Sequence, residues 1–409
     1  MTPSRPLRFG EFIALLALLM ATVAYSVDAM LPLLGLIGAE LSPAAPEQAQ
    51  LVLTVFLLGL GLGTFIAGPL SDALGRKTVI LAGIALYMTA ATVAALSPTM
   101  TVLLAARFVQ GMGASAPRVV SQALVRDLYA GRMMARVISF SMTVFTLVPA
   151  IAPLLGAGLG HLFGWRAIFW SFLVFGTISA LWLITRQPET LPAERRRRMD
   201  ARALLAALRE VVGHPRVRLY LAAQTFVYAA MFIWLSEVAL IFAEFFGRAS
   251  EFPRWFALVA LLSAPSSLLN ARLVMRLGMR RMIGIAITGQ MVLSVVAIGV
   301  FLGTYGATAS GVWGFAFFIL YMLAQFFATG FLIGNLNALA LEPMGHVAGM
   351  AASVMGGVST IAAALVAIPM SYVHNGTPLP LAVAALIASS LCAACMIRAR
   401  RYQLGAASG

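Results

Sequence analysis

Apolar residues run through this chain in blocks of roughly twenty, separated by short polar breaks. The blocks fall near 12–36, 47–70, 78–97, 100–124, 135–160, 165–185, 218–245, 255–274, 282–303, 311–340, 348–373 and 379–397, the tenth being overlong. Each is long enough for a helix to cross the ~30 Å hydrocarbon layer of a bilayer. The pattern therefore predicts an all-α polytopic membrane protein with twelve transmembrane helices. Only residues 186–217 form a long polar stretch, and six spans stand on either side of it. This gives an N-terminal six-helix half (1–185), a cytoplasmic linker (186–217) and a C-terminal six-helix half (218–409). Within the linker, Arg195–Arg198 suit the inner membrane surface, and 200–212 can form a short amphipathic helix.

The two halves echo each other. GPLSDALGRKTVIL (68–81) follows span 2, and NARLVMRLGMRRMIGI (270–285) follows span 8. In both, a Leu-Gly turn is followed by two basic residues that open the next helix. A duplicated six-helix unit is a transporter architecture.

Composition narrows the class. The 409 residues are 61% hydrophobic and 10% charged, with a mean hydropathy of +0.94, which a bilayer can accept and a soluble core cannot. The two cysteines, Cys392 and Cys395, lie in the last apolar block and are read as packing residues, so no metal or disulfide framework is expected. The net charge of +14 would suit nucleic acid, but its placement does not. With a cytoplasmic N-terminus, the inner side receives Arg5, Arg8, Arg76, Lys77, Arg126, Arg132, Arg136, the linker arginines, Arg272 to Arg281 and the C-terminal arginines. The outer side receives Arg166, Arg248 and Arg254. That asymmetry is the positive-inside rule, with both termini cytoplasmic. The first block is too long for a cleaved signal and is read as a retained helix.

Charges inside the spans are rare enough to single out. Asp28 lies ~12 Å short of the outer end of span 1 by helical rise, and Arg107 lies ~13 Å down span 4, so opposite charges share one depth. Each left facing lipid would cost about 2.5–3.5 kcal/mol, so burial toward a common cavity is expected. Gln110, Gly111, Ala114 and Arg118 continue the Arg107 face of span 4 at helical spacing, with Pro117 able to bend it. Arg118 suits either a cleft wall or snorkelling to the inner surface. Glu237, in span 7, is a second candidate proton or cation group, or a carboxylate at the cleft mouth. The histidines lie near helix ends or in the linker, so a histidine relay is not expected. Tyr25, Met142, Phe145, Tyr228, Trp234, Tyr321 and Phe327 are candidate substrate-binding walls, suited to varied apolar ligands. The GLGLG at 59–63 lacks the strand-turn-helix setting of a dinucleotide site, and no Walker sequence is present. No cofactor is expected, and the proton gradient is the expected energy source.

Several stretches resemble one family. GPLSDALGRKTVIL is similar to the signature loop of the major facilitator superfamily. LLAARFVQGMGASAPRVVSQALVRDLYAGR (103–132), SVDAMLPLL, WRAIFW, ETLPAERR and NALALEPMGHVAGMAASVMGG resemble its bicyclomycin/chloramphenicol-resistance branch of drug efflux proteins. The resemblance implies the major facilitator fold and a cytoplasmic latch among spans 2, 3, 4 and 11. Asp72 and Arg76 stand four apart, able to pair, and the resemblance implies Asp127 as an acceptor for Arg76. PAIAPLLGAGLG (149–160) resembles an antiporter signature, with Pro153 and Gly156 as the span-5 pivot; Val148, Ala152 and Ala157 replace its other glycines.

Together these features predict a proton-coupled multidrug efflux antiporter of the bacterial inner membrane. It is expected to act as a monomer, exporting amphipathic neutral or cationic molecules by alternating access. Asp28, assisted by Arg107 and Glu237, would exchange a proton for cargo, and the partners would be small molecules, protons and lipid. An importer or metabolite exporter of the same fold is the alternative. A membrane enzyme would need a nucleophile–base pair or metal ligands in the spans, and none is apparent.

Overall fold

The computed structural model describes residues 7–129, 131–196, 201–303 and 311–407; some side chains within its helices, Met142 and Phe145 included, also lie outside the described residues. Regular structure is entirely helical among the described residues. The helices are α1 (Phe9–Asp28), α2 (Leu34–Leu41), α3 (Leu51–Leu74), α4 (Arg76–Ala95), α5 (Met100–Leu128), α6 (Gly131–Phe163) and α7 (Ala167–Arg186), followed by the short α8 (Ala201–Gly213). Then come α9 (Pro215–Glu244), α10 (Phe252–Ser263), α11 (Pro265–Leu277), α12 (Met279–Gly303), α13 (Val312–Leu341), α14 (Ala348–Ala367) and α15 (Leu379–Ala407). The first span is α1 with α2, the eighth is α10 with α11, and every other helix except α8 is one span. Ten of the twelve spans are long and apolar enough to cross a membrane on those grounds alone among the described residues. The others are α5, diluted by Arg107 and Arg118, and α6, whose described apolar part is Leu147–Phe163.

The chain forms two compact units, Met1–Leu204 and Leu205–Gly409, dividing inside α8 and thus within the polar segment. In the first, α5 packs on α3 and α4, and α1 lies against α5, α6 and α7. Phe12, Leu16, Leu19, Ile80, Ile84, Val120 and Leu124 fill one core of this unit. Between helices in lipid such contacts act through close packing, because lipid tails are as apolar as leucine. In the second unit α9 is the central element, contacting α13, α14 and α15. Apolar side chains also cover the outside: Met275 is 85% and Trp313 84% exposed. Such a surface belongs in acyl chains, not in water.

The sequence echo has a structural counterpart. Gly75 joins α3 to α4 at φ 101°, and Gly278 joins α11 to α12 at φ 78°. A side chain is strained in that conformation, so one glycine turns the chain at the same place in each half. Asn335 donates to Asn270 at 2.8 Å, a neutral pair tying α13 to α11. At the far end of α2, Glu40 accepts from the indole N–H of Trp165 (2.7 Å), and Arg166 donates to the Ser97 carbonyl (3.2 Å). These bonds hold the start of α7 to α2 and to the turn after α4.

Candidate functional site

The first span is not continuous. α1 ends at Asp28, a short 3₁₀ turn covers Leu31–Leu33, and α2 then begins. The cause is in the sequence: Pro32 has no N–H to donate to the Asp28 carbonyl four residues back, so the helical ladder stops there. Asp28 thus sits at a break inside the apolar run. Its side chain is buried, the residue being 5% exposed, and it makes no hydrogen bond or ion pair among the described residues. A carboxylate buried without a partner costs on the order of several kcal/mol. It is stable with a proton on it, or with a positive charge beside it.

α6 presses on the same break. A Cβ added to Gly156 would lie 2.0 Å from the Ala29 carbonyl oxygen, and one on Gly160 would meet the Leu33 side chain. Only glycine allows α6 this close. Gly156, part of the pivot implied by the resemblance, therefore stands against the interrupted part of span 1.

Arg107 is fully buried. Its guanidinium donates from Nε to the Val52 carbonyl (3.2 Å), from one terminal nitrogen to Gln110 Oε1 (2.7 Å) and from the other to the Ser26 carbonyl (3.0 Å). It also lies over the Phe56 ring, 4.3 Å from the centroid. The fixed fork of arginine suits three such acceptors. Arg107 is thus bonded to span 1 two residues before Asp28. No ion pair joins them, because backbone carbonyls and Gln110 occupy the guanidinium. Next to it, Ser26 Oγ and the Tyr87 hydroxyl are 2.7 Å apart. The amides of Gln50, and Nε2 of Gln110, are buried without partners among the described residues. Arg118 is half-buried and its guanidinium is unpaired among the described residues.

The proposed substrate walls separate. Tyr25 is a packing residue: its hydroxyl meets Ser171 Oγ at 2.8 Å and its ring contacts Phe172 and Phe175, all on α7. Met142 and Phe145 lie outside the described residues. In the second unit Trp234 packs on Tyr321, 5.1 Å between ring centres, and on Phe318 and Phe326. The Tyr321 hydroxyl is engaged with Ser294 Oγ (2.8 Å), which also accepts from Gln325 (3.3 Å). Trp234 lines a small pocket with Gln290, Gln325 and Phe326, and its indole N–H is buried without an acceptor among the described residues. Tyr228 stacks on Phe232, and Phe327 packs on Phe331 along its own helix.

The latch residues of the first unit converge. Arg76, freed by the turn at Gly75, bonds Asp72, reaches Asp127 Oδ2 at 3.0 Å and donates to Ser71 Oγ at 2.7 Å. A further member was hidden in the linker. Glu189 accepts from the backbone N–H of Arg76 (2.9 Å) and of Lys77 (3.1 Å), capping α4 from a point over a hundred residues away. Thr190 adds a bond to Asp127 at 3.0 Å. The only sequence signal for this was the family-like ETLPAERR, which carries no geometry.

Glu237 also acquires an unforeseen partner. His374 Nδ1 is 2.6 Å from Glu237 Oε2, and its Nε2 is 2.8 Å from Glu244 Oε2. The sequence predicts no histidine relay and gives no sign of this contact, which forms because the turn before α15 carries His374 back onto α9. The two carboxylates hold the imidazole proton, raising the His374 pKa to about 9.

The pattern of the Major Facilitator Superfamily matches residues 13–367, and the chain belongs to that superfamily of membrane transporters, within its bicyclomycin/chloramphenicol-resistance branch. A bicyclomycin resistance protein homolog from Haemophilus influenzae is 30% identical over 354 residues, 85% of each chain. A chloramphenicol resistance protein from Pseudomonas aeruginosa is 42% identical over 155 residues, 38% of this chain and 36% of the relative. The crystal structure of a D-xylose-proton symporter superposes with a TM-score of 0.72, covering 93% of this chain and 97% of its own at 14% identity, a likeness of fold.

Proposed function

We propose that this protein is a proton-coupled antiporter of the bacterial inner membrane that exports amphipathic, neutral or cationic small molecules. Both termini would be cytoplasmic, the working unit a monomer and the proton gradient the sole energy source. The observation that carries the reading is Asp28: a buried carboxyl without a partner among the described residues, at the break in span 1, against the glycine face of α6. Drug-resistance names among the relatives support the cargo class, and the proton supplies what a lone buried acid requires.

The cycle runs on mutual exclusion. With its binding site open to the cytoplasm, cargo enters and the proton leaves Asp28. A cationic cargo replaces the lost positive charge directly. A neutral cargo relies on Arg107, held by the Ser26 carbonyl at the same turn. After exposure to the outer face, cargo departs and Asp28 is reprotonated. Because either ligand weakens the other at one site, the proton gradient drives export. Arg76 with Asp72, Asp127 and Glu189 would fasten one of the two states and part in the other.

Purified protein in liposomes acidified inside tests this, with ethidium and chloramphenicol as trial cargo. Substrate-induced proton loss is expected from the native chain and none from Asp28→Asn, whose folding is checked by its melting curve. Full pH-dependent transport by that variant would reject the assignment.

A further inference from the structure

The second unit holds a cluster of charge that the Asp28 cycle does not use. Three groups stand in line at the C-terminal end of α9. The Glu244 side chain is 48% exposed, His374 10% and Glu237 3%, so the line leads from solvent to interior. The ring spans the two carboxylates with one nitrogen on each. Glu237 keeps its second oxygen, Oε1, buried and without a partner among the described residues. The turn that presents His374 is itself fixed: Asn375 Oδ1 accepts from the N–H (3.1 Å) and hydroxyl (2.8 Å) of Thr377.

The surroundings supply no competing charge. α13 and α14 contain no acidic, basic or histidine residue, and the charges of α15 are Arg398, Arg400 and Arg401 at its other end. Arg248, just beyond α9, pairs with Glu251. Among the described residues, only His374 neutralises Glu237.

We propose that Glu244, His374 and Glu237 form a proton relay, which loads the buried carboxyl of Glu237 from the aqueous phase at the end of α9. The transfer has two balanced steps. First, Glu244, protonated by water, gives its proton to Nε2: the O–H bond breaks, an N–H bond forms, and a ring protonated at Nδ1 becomes imidazolium. Its raised pKa makes this the stable middle state. Second, the Nδ1–H bond breaks and the proton passes to Glu237 Oε2, leaving a neutral ring protonated at Nε2. The ring resets to the Nδ1 form by proton exchange with water. One proton has then moved from solvent to an interior carboxyl, which as a neutral acid no longer needs the imidazolium. Protonation of Glu237 therefore loosens the 373–378 turn from α9.

The relay resides wholly in the second unit and is tested without transport. Full-length protein in lipid nanodiscs, with ¹⁵N-labelled histidine and ¹³C-labelled glutamate, is followed by NMR across pH and by infrared carboxyl absorption after a rapid pH drop. One histidine should titrate near pH 9, and Glu237→Gln should return it to the ordinary range. Glu237 should protonate at least tenfold more slowly in His374→Gln. It should also slow in Glu244→Gln, a change at a half-exposed position that leaves the His374–Glu237 bond in place. Asp28→Asn should leave all these signals unchanged. Equal rates of Glu237 protonation in the native chain and both relay variants would overturn the relay. An ordinary His374 titration would do so as well. Loss of antiport in Asp28→Asn with these signals absent would retain the transport reading and reject this one.

Discussion

At the scale of single residues, position in the bilayer gives a few side chains their weight. Arg107 was visible in the sequence because charges are so scarce within the spans; its partners were not, since two of its three acceptors are backbone carbonyls on other helices. That arrangement predicts that lysine is no substitute. A single ammonium cannot reach Val52, Gln110 and Ser26 together, so Arg107→Lys leaves buried acceptors bare. The expected loss is about 2–3 kcal/mol of stability, measured by unfolding in mild detergent, together with loss of proton-driven efflux. Asp28 was legible by the same scarcity, but its lack of a partner among the described residues was not. Tyr25 shows the opposite limit: its chemistry suited a binding wall, but one bond to Ser171 turns it into α7. His374 and Glu237 are 137 positions apart, and no local pattern marks such a pair.

At the scale of helices, the twelve spans could be drawn from block length alone, because the bilayer imposes one length on every crossing. The interruption of span 1 was written in Pro32, but apolarity runs straight through it and hides the break. Two substitutions probe the helix contacts. Gly156→Ala must push α6 away from the Ala29 carbonyl, so both melting temperature and transport should fall, while Gly158→Ala, with open space around its added Cβ, should behave as native. Glu189→Ala removes a cap supplied from a distance. It should cost about 1 kcal/mol and increase proteolytic cutting between residues 187 and 196, read by limited digestion of the purified chain.

At the scale of the whole molecule, charge placement and duplication were plain from the sequence, including the paired turns at Gly75 and Gly278. Thermal stability should carry the signature of His374. Its pKa is raised from 6.5 to about 9 by Glu237 and Glu244, so the imidazolium contribution is complete below pH 6.5, shrinks as pH rises and is gone above about 9. The melting temperature should fall across that window, and His374→Gln should flatten the decline. A decline of equal steepness in that variant would assign the effect to other groups.

The bonds made by Glu189 and Thr190 bear on how this chain can be cut and rejoined. Up to Leu191 the connection between halves is a fixture of the first half, holding the start of α4 and sharing Asp127. A fluorescent reporter or protease site grafted there would displace those bonds; one placed after Arg196 would spare them. Halves expressed as separate polypeptides should therefore assemble better when the break comes after Arg196 than when it follows α7 directly.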